Sequence, residues 1–502
     1  MSARTLRRTR TRVQTLAFLL FLGGLLLSVQ DVRPALPADL LLRLDPLAAL
    51  TAMLASRQWL ARFVPGLIIL VATLLLGRYW CGWLCPLGTL IDWTSQRRNQ
   101  RDWPARWRAA KYALLLTLLF AALWGNLTLM ILDPLTLFVR SVATLVIPAL
   151  NWLVSQAEVV LYRVGFMQGA LDSLDTALRG TLLSYTQPYY AGWLLALVLG
   201  GILALSLTAR RAWCRYLCPL GGLFSLVARF SWLERKVSAE CIKCGACARD
   251  CRMSTVDIRA DFASDSGECV LCMDCAEVCP KQAISFGGVW NVDRGHSYDP
   301  ARRHVFGALA ASLGGLALLK VTPRAHHPHS QRIRPPGAQE DSLLARCIRC
   351  GACLRVCPTH GLQPSLTEAG LESLWTPILV PRLGPCDYSC TACGETCPTG
   401  AIPRLALDVK RLTPLGKASV NPQLCLPWSG RADCIVCEEM CPLPEKAIVL
   451  EEHPVTDYAT GQAVTRLAPV VVHDRCIGCG LCEFKCPVEG EAAIRVSVDP
   501  LG

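Results

Sequence analysis

Six groups of four cysteines, each ending in the tail C-x2-C-x3-C, dominate the chemistry available to this 502-residue chain. The first two are Cys241, Cys244, Cys247, Cys251 and Cys269, Cys272, Cys275, Cys279. The third and fourth are Cys347, Cys350, Cys353, Cys357 and Cys386, Cys390, Cys393, Cys397. The last two are Cys425, Cys434, Cys437, Cys441 and Cys476, Cys479, Cys482, Cys486. Cys81, Cys85, Cys214 and Cys218 complete the 28 cysteines as two C-x3-C-P pairs. Groups one, two, three and six have the bacterial ferredoxin run C-x2-C-x2-C-x3-C, whereas groups four and five lengthen the first gap. Such spacing is that of 4Fe-4S ligation, not of a disulfide framework. Six such sites imply a relay of single electrons.

Three closely spaced thiolates wrap one cubane, and the fourth, turned away by the x3 gap, serves the neighbouring cluster. Cys251 is therefore expected at the cluster of group two, and Cys279 at that of group one. The pairing among groups three to six stays open at this level. Proline follows the last cysteine of every group except the first, where Arg252 stands. Structural zinc also uses C-x2-C pairs, but a sixfold repeat of the whole ferredoxin tail argues against it. The formal charge of +12 does not indicate a nucleic-acid partner. Six cubanes at about −2 each would bring the holoprotein near neutrality. There is no C-x-x-C-H for a c-type haem and no G-x-G-x-x-G motif.

The elements that must position these groups fall into two kinds. Residues 1–235 hold no ferredoxin group and are strongly apolar. Val13–Val29, Val64–Trp80, Tyr112–Leu132 and Tyr189–Ala209 approach the roughly 20 apolar residues needed to cross a bilayer. Leu135–Val164 contains Arg140, Pro148, Asn151 and Glu158, and reads as an interfacial or extramembrane helix. Arginines gather before the first span, between the second and third, and after the fourth, which places those segments on the cytoplasmic side. A shorter apolar stretch, Val305–Val321, follows Arg302 and Arg303 and resembles a twin-arginine export signal that stays as an anchor. Groups one and two are then expected in the cytoplasm, and groups three to six outside.

The apolar half repeats itself. WCGWLCPLGTL begins at Trp80 and WCRYLCPLGGL at Trp213, and LDPL elements precede them at Leu44–Leu47 and Leu132–Leu135. Two related helical hairpins about a pseudo-twofold axis would bring Cys81, Cys85, Cys214 and Cys218 together as ligands of a further metal centre. Asp45 and Asp133 hold corresponding places on the external side, where a carboxylate near the membrane surface can accept protons from a quinol. Each also suits a helix cap, with Pro in the first turn. Residues 1–295 lack histidine, which excludes bis-histidine haem b from this domain.

On these motifs the first 300 or so residues resemble the NapH (MauN-type) family. Those from about 301 resemble the NapG (MauM-type) family, so the chain looks like a fusion of the two. The resemblance implies a quinol dehydrogenase component that feeds a periplasmic reductase through c-type cytochromes. Methylamine-associated members imply instead a maturation factor for an exported enzyme, and a membrane redox sensor is a third reading. The expected fold is multi-domain: a polytopic α-helical membrane domain with four spans and a fifth anchor, joined to α+β bacterial-ferredoxin-like 4Fe-4S domains. Its expected parts are a membrane domain (1–236), a cytoplasmic two-cluster domain (237–300), a signal-anchor helix (301–321), a linker (322–340) and a periplasmic four-cluster domain (341–502). Expected cofactors are about six 4Fe-4S clusters, one further metal centre and quinol as substrate. Expected partners are the bacterial inner membrane and a periplasmic cytochrome or reductase.

Overall fold

The computed structural model describes residues 3–26, 39–95, 102–163, 168–181, 189, 192–288, 302–321, 333–366, 368 and 370–498. Arg97, Arg98, Arg101 and most of the expected linker lie outside the described residues.

Both repeat motifs start helices in the same way. Asp45 caps helix Pro46–Ser56, with Oδ1 accepting from the amides of Leu47 (2.9 Å) and Ala48 (3.2 Å). Asp133 does the same for the helix beginning at Pro134, accepting from Leu135 (3.0 Å) and Thr136 (2.8 Å). Cys85 and Cys218 take the equivalent place before Pro86–Thr94 and Pro219–Ala228, each Sγ accepting an amide three residues on. In all four, proline occupies a first-turn position whose N–H has no partner inside a helix.

The four stretches expected as spans overlap helices Ala3–Leu26, Val64–Leu76, Ala109–Leu123 and Gly192–Thr208, and among the described residues none of the four is long and apolar enough to cross a membrane. The second and third have only 13 and 15 residues, shorter than the apolar runs that suggested them. Leu135–Val164, expected as an interfacial or extramembrane helix, is helical over most of its length. Pro134–Leu161 is one helix of 28 residues, long and apolar enough to cross a membrane. A π-helical segment, Val142–Val146, is built in just ahead of Pro148, which absorbs the donor that proline lacks. Arg140 does not break the helix because it is fully buried and bonded to the carbonyls of Ile131 and Arg349.

Two α+β units attach to the helical domain, one at each end. Their sheets are two-stranded: Leu233–Val237 with Ile284–Gly288, and farther on Leu362–Pro364 with Pro377–Leu379 and Lys417–Val420 with Ile494–Ser497. A long hairpin, Ile448–Thr456 with Ala463–Val471, completes the second unit. Helix Ala109–Leu123 fixes the opposition. Near its start Lys111 pairs with Glu268 of the first unit, and just past its end Gly125 meets Ala345 of the second. At 1.5 Å per residue the units stand roughly 20 Å apart. Helix Arg302–Val321 runs beside it, with Ser312 Oγ bonded to the Thr117 carbonyl at 2.9 Å. Residues 333–340, which composition places in a linker, belong to the second unit: Ile333 accepts from the Leu379 amide, and Arg334 pairs with Glu340.

Candidate iron–sulfur relay

The ferredoxin runs bend the chain around a hollow. In groups one, two, three and six the residues on both sides of the second cysteine have positive φ. They are Lys243 and Gly245, Leu271 and Met273, Arg349 and Gly351, and Gly478 and Gly480. Left-handed residues turn successive amides inward, a concavity suited to anionic cluster sulfur. Groups four and five lack this device at Thr391 and Ile435, with φ near −125° and −123°. Their longer first gaps replace the double turn.

The fold resolves the pairing that the sequence left open. Cys347, Cys350 and Cys353 lie with Cys397, and Cys386, Cys390 and Cys393 lie with Cys357. Cys425, Cys434 and Cys437 lie with Cys486, and Cys476, Cys479 and Cys482 with Cys441. Group three thus exchanges its last cysteine with group four, and group five with group six. Cys251 stands with Cys269, Cys272 and Cys275 as expected, while Cys241 and Cys247 lie together in the other site.

These thiol sets line cavities of the right chemistry. One cavity is bounded by Cys347, Cys350, Cys353 and Cys397 with Trp375 and Ile402, and another by Cys425, Cys434, Cys437 and Cys486 with Ile494. Among the described residues no three His, Cys, Asp or Glu side chains converge on a single-ion site. Four thiols spread around an apolar hollow fit a multi-iron cubane better than one zinc ion. Burial pushes the Cys275 thiol up to about 11 and Cys386 to about 12, and bound iron would hold such thiols as thiolates near neutral pH.

The four sites of the second unit form a path. Cys353 neighbours Cys393. The Cys386 amide donates to the Cys479 carbonyl at 2.8 Å, and Cys482 neighbours Cys437. The Cys347 site touches the helical domain, where Arg140 bonds the Arg349 carbonyl and Arg62 the Cys397 carbonyl. The order outward is therefore group three, four, six and five, which departs from sequence order.

At the opposite end Cys81, Cys85, Cys214 and Cys218 come together. Burial raises Cys214 to about 11 and Cys218 well above the ordinary thiol range. The group-two loop presses on this site: a Cβ at Gly82 would sit 2.0 Å from the Val270 carbonyl oxygen. Two arginines that the sequence reading did not assign to this site frame it. Arg211, from the second repeat, bonds the Cys81 carbonyl in the first, and Arg78, from the first, lies against Gly221 in the second. Their signal was the shared R-x-W-C beginning at residues 78 and 211.

The repeats differ in one acid. Asp92 of the first binds Arg10, Arg211 and Arg252, and these cations override burial to hold its carboxyl far below the usual range. The corresponding residue in the second repeat is Ser225. Glu268 of the first ferredoxin unit supplies the missing carboxylate, receiving Arg78, Lys111, Tyr112 and Ser225. Burial alone would raise Glu268, but Lys111 and Arg78 hold it down to about 2.

The fold brings Asp45 and Asp133 side by side, which their corresponding places in the repeat did not by themselves foretell, and both are fully buried.

Comparison with known proteins agrees with this assignment. A 4Fe-4S binding domain model matches residues 58–106 and 191–240, which contain the two C-x3-C-P pairs. A 4Fe-4S dicluster domain model matches 261–358, and another 4Fe-4S binding domain model matches 469–490. The methylamine utilization ferredoxin-type protein MauM of Methylorubrum extorquens is 38% identical over 212 residues, covering 40% of this chain and 91% of the relative. The ferredoxin-type protein NapG of Escherichia coli is 36% identical over 192 residues, 38% of this chain and 79% of the relative. MauN of Methylobacillus flagellatus is 26% identical over 215 residues, 41% of this chain and 60% of the relative. No solved structure matches. By its cysteine frame and by these relatives, the chain belongs to the NapG/MauM-type ferredoxin proteins and is an iron–sulfur electron-transfer polypeptide.

Proposed function

We propose that this protein sits in the bacterial inner membrane, takes electrons from a quinol, and delivers them to a periplasmic c-type cytochrome or reductase. One observation carries the reading. The Cys347–Cys350–Cys353–Cys397 site is seated on the end of the helical domain that bears Asp45 and Asp133, and the other three sites lead away from it. Bound cubanes would supply one-electron steps. Oxidation of QH2 to Q releases two electrons and two protons. Asp45 and Asp133 are the proposed proton acceptors, and the apolar helical surface provides access from the lipid.

In this reading residues 237–300 lie in the cytoplasm, helix Arg302–Val321 crosses the membrane after a twin-arginine-like start, and the second unit is periplasmic. Cys81, Cys85, Cys214 and Cys218 would hold a further metal centre next to the group-two cluster, so that iron and sulfide per chain would exceed six cubanes. Adding quinol to anaerobic membranes and following the clusters by electron paramagnetic resonance tests the function. Fast reduction is expected; intact clusters that stay oxidised would overturn it. A reporter fused after Gly502 should be active outside the cytoplasm, and replacing Arg302 and Arg303 by Lys should leave it inside. A maturation role, suggested by the methylamine-utilization names of the MauM relatives, would leave quinol reduction slow and impair an exported enzyme instead.

A further inference from the structure

The Asp45–Asp133 contact has a chemical consequence. Each carboxyl uses one oxygen to cap its own helix. The remaining oxygens, Asp45 Oδ2 and Asp133 Oδ1, are buried and receive no donor from elsewhere in the protein. The two carboxyls lie against each other. Burial of two like charges in contact opposes double ionisation and favours a pair that holds one proton.

The charged groups around the pair are few. Arg43 on the preceding helical turn is occupied by Asp39, and Arg62 reaches Asp39 and the Cys397 carbonyl. Arg346, on the helix packed over Pro46–Ser56, is bonded to Gln58. Among the described residues Arg140 is a cation within electrostatic range of Asp133 and also of Cys347 and Cys350. Its guanidinium is buried, lies 5.0 Å from the Trp375 ring, and keeps Nε unpaired. One buried cation is thus shared by the acid pair and the cluster site nearest the helical domain.

We propose that the Asp45–Asp133 pair is a redox-linked proton site, coupled through Arg140 to the cluster held by Cys347, Cys350, Cys353 and Cys397. When that cluster gains one electron, from quinol or any upstream donor, the added negative charge competes for the field of Arg140. The pair then takes up one proton, from the quinol or from external water, and becomes two neutral carboxylic acids. When the electron moves on to the next cluster, the proton leaves. The inference deepens the relay reading but does not need quinol to be the donor.

An equilibrium redox titration of the full-length holoprotein, without quinol and at several pH values, tests it. One cluster signal should have a potential that falls with rising pH, by at most about 59 mV per unit for one proton per electron. Asp45→Asn and Asp133→Asn, which keep the helix caps, should flatten that dependence while iron content stays unchanged. A second readout needs no variant: infrared difference spectra should gain a protonated-carboxyl carbonyl band on reduction. Potentials independent of pH, a slope that survives in the double variant, or spectra without that band would each overturn the proposal. If the slope is present but quinol fails to reduce the clusters, only the quinol reading fails.

Discussion

The two ferredoxin units hold the helical domain by different chemistry. The first docks through buried charge: Glu268 on Arg78 and Lys111, and Arg252 on Asp92. The second docks through donors aimed at backbone carbonyls: Arg140 to Arg349 (3.0 Å), Arg62 to Cys397 (2.9 Å) and Tyr189 to Leu354 (2.8 Å). A buried ion pair that loses one partner strands the other charge, whereas a lost carbonyl bond costs only one unsatisfied acceptor. The first joint is therefore locked by charge and the second by shape. The acids follow the same division. Those at the C-x3-C-P end are neutralised by cations, and Asp45 and Asp133 at the Asp-Pro end are buried against each other.

The largest effect expected is loss of a whole cluster, and it tests whether the second joint includes a ligand. Cys397→Ala should remove the same paramagnetic signal as Cys350→Ala and spare the one lost in Cys357→Ala. If Cys397→Ala and Cys390→Ala remove the same signal, the cross-pairing is wrong, and with it the placement of a ligand at the joint.

Next in size is Glu268→Ala, which leaves Arg78 and Lys111 buried without an anion. A loss of about 3–5 kcal/mol is expected, read as a lower thermal midpoint and as easier proteolytic release of residues 233–288. Glu268→Gln keeps the shape and isolates the charge. The sign with pH follows from the depressed carboxyl: unfolded glutamate titrates near pH ~4.3, so the stabilisation is complete above that value. It is lost as pH falls toward about 2. A midpoint unchanged in both variants would mean that the first joint is not held by charge.

How much of this was legible in sequence follows from the range of each interaction. Cluster ligation is written in local spacing, so the pairing of Cys251 with group two could be read directly, while Cys397 and Cys486 required the fold. The Asp-Pro caps are local, so Asp45 and Asp133 were legible as helix starts. Their contact depends on packing between repeats. Glu268 carried no signal because it fills, from another unit, the place where the second repeat has Ser225 instead of an acid. In helix 134–161 Arg140 and Asn151 look like surface residues in sequence, and both are buried. Gly245, Gly351, Gly478 and Gly480 advertised their left-handed turns; Leu271, Met273 and Arg349 adopt the same backbone without announcing it.

A smaller effect belongs to the second joint. Arg140→Ala removes bonds to the carbonyls of Ile131 and Arg349 and the stacking on Trp375. About 1–3 kcal/mol is expected, less than for Glu268→Ala, and hydrogen exchange across residues 347–357 should register it. A loss equal to that of Glu268→Ala would erase the distinction between the joints.

The smallest effect compares equivalent turns in the two units. Lys243, in group one, holds φ at 54°, where group six has Gly478 at 69°. A side chain in this region costs energy that glycine avoids. Lys243 is exposed, and its partner Asp261 is too, so little is lost with the charge. Lys243→Gly should therefore raise the thermal midpoint of the first unit by about 1–2 °C and leave its cluster spectra unchanged. The reciprocal Gly478→Lys should fail more severely. A Cβ at Gly478 would lie 2.4 Å from the Gly416 carbonyl oxygen, so crowding is added to backbone strain. Equal and opposite effects at the two positions would show that φ alone sets the difference. Unequal ones would assign the remainder to packing in the second unit.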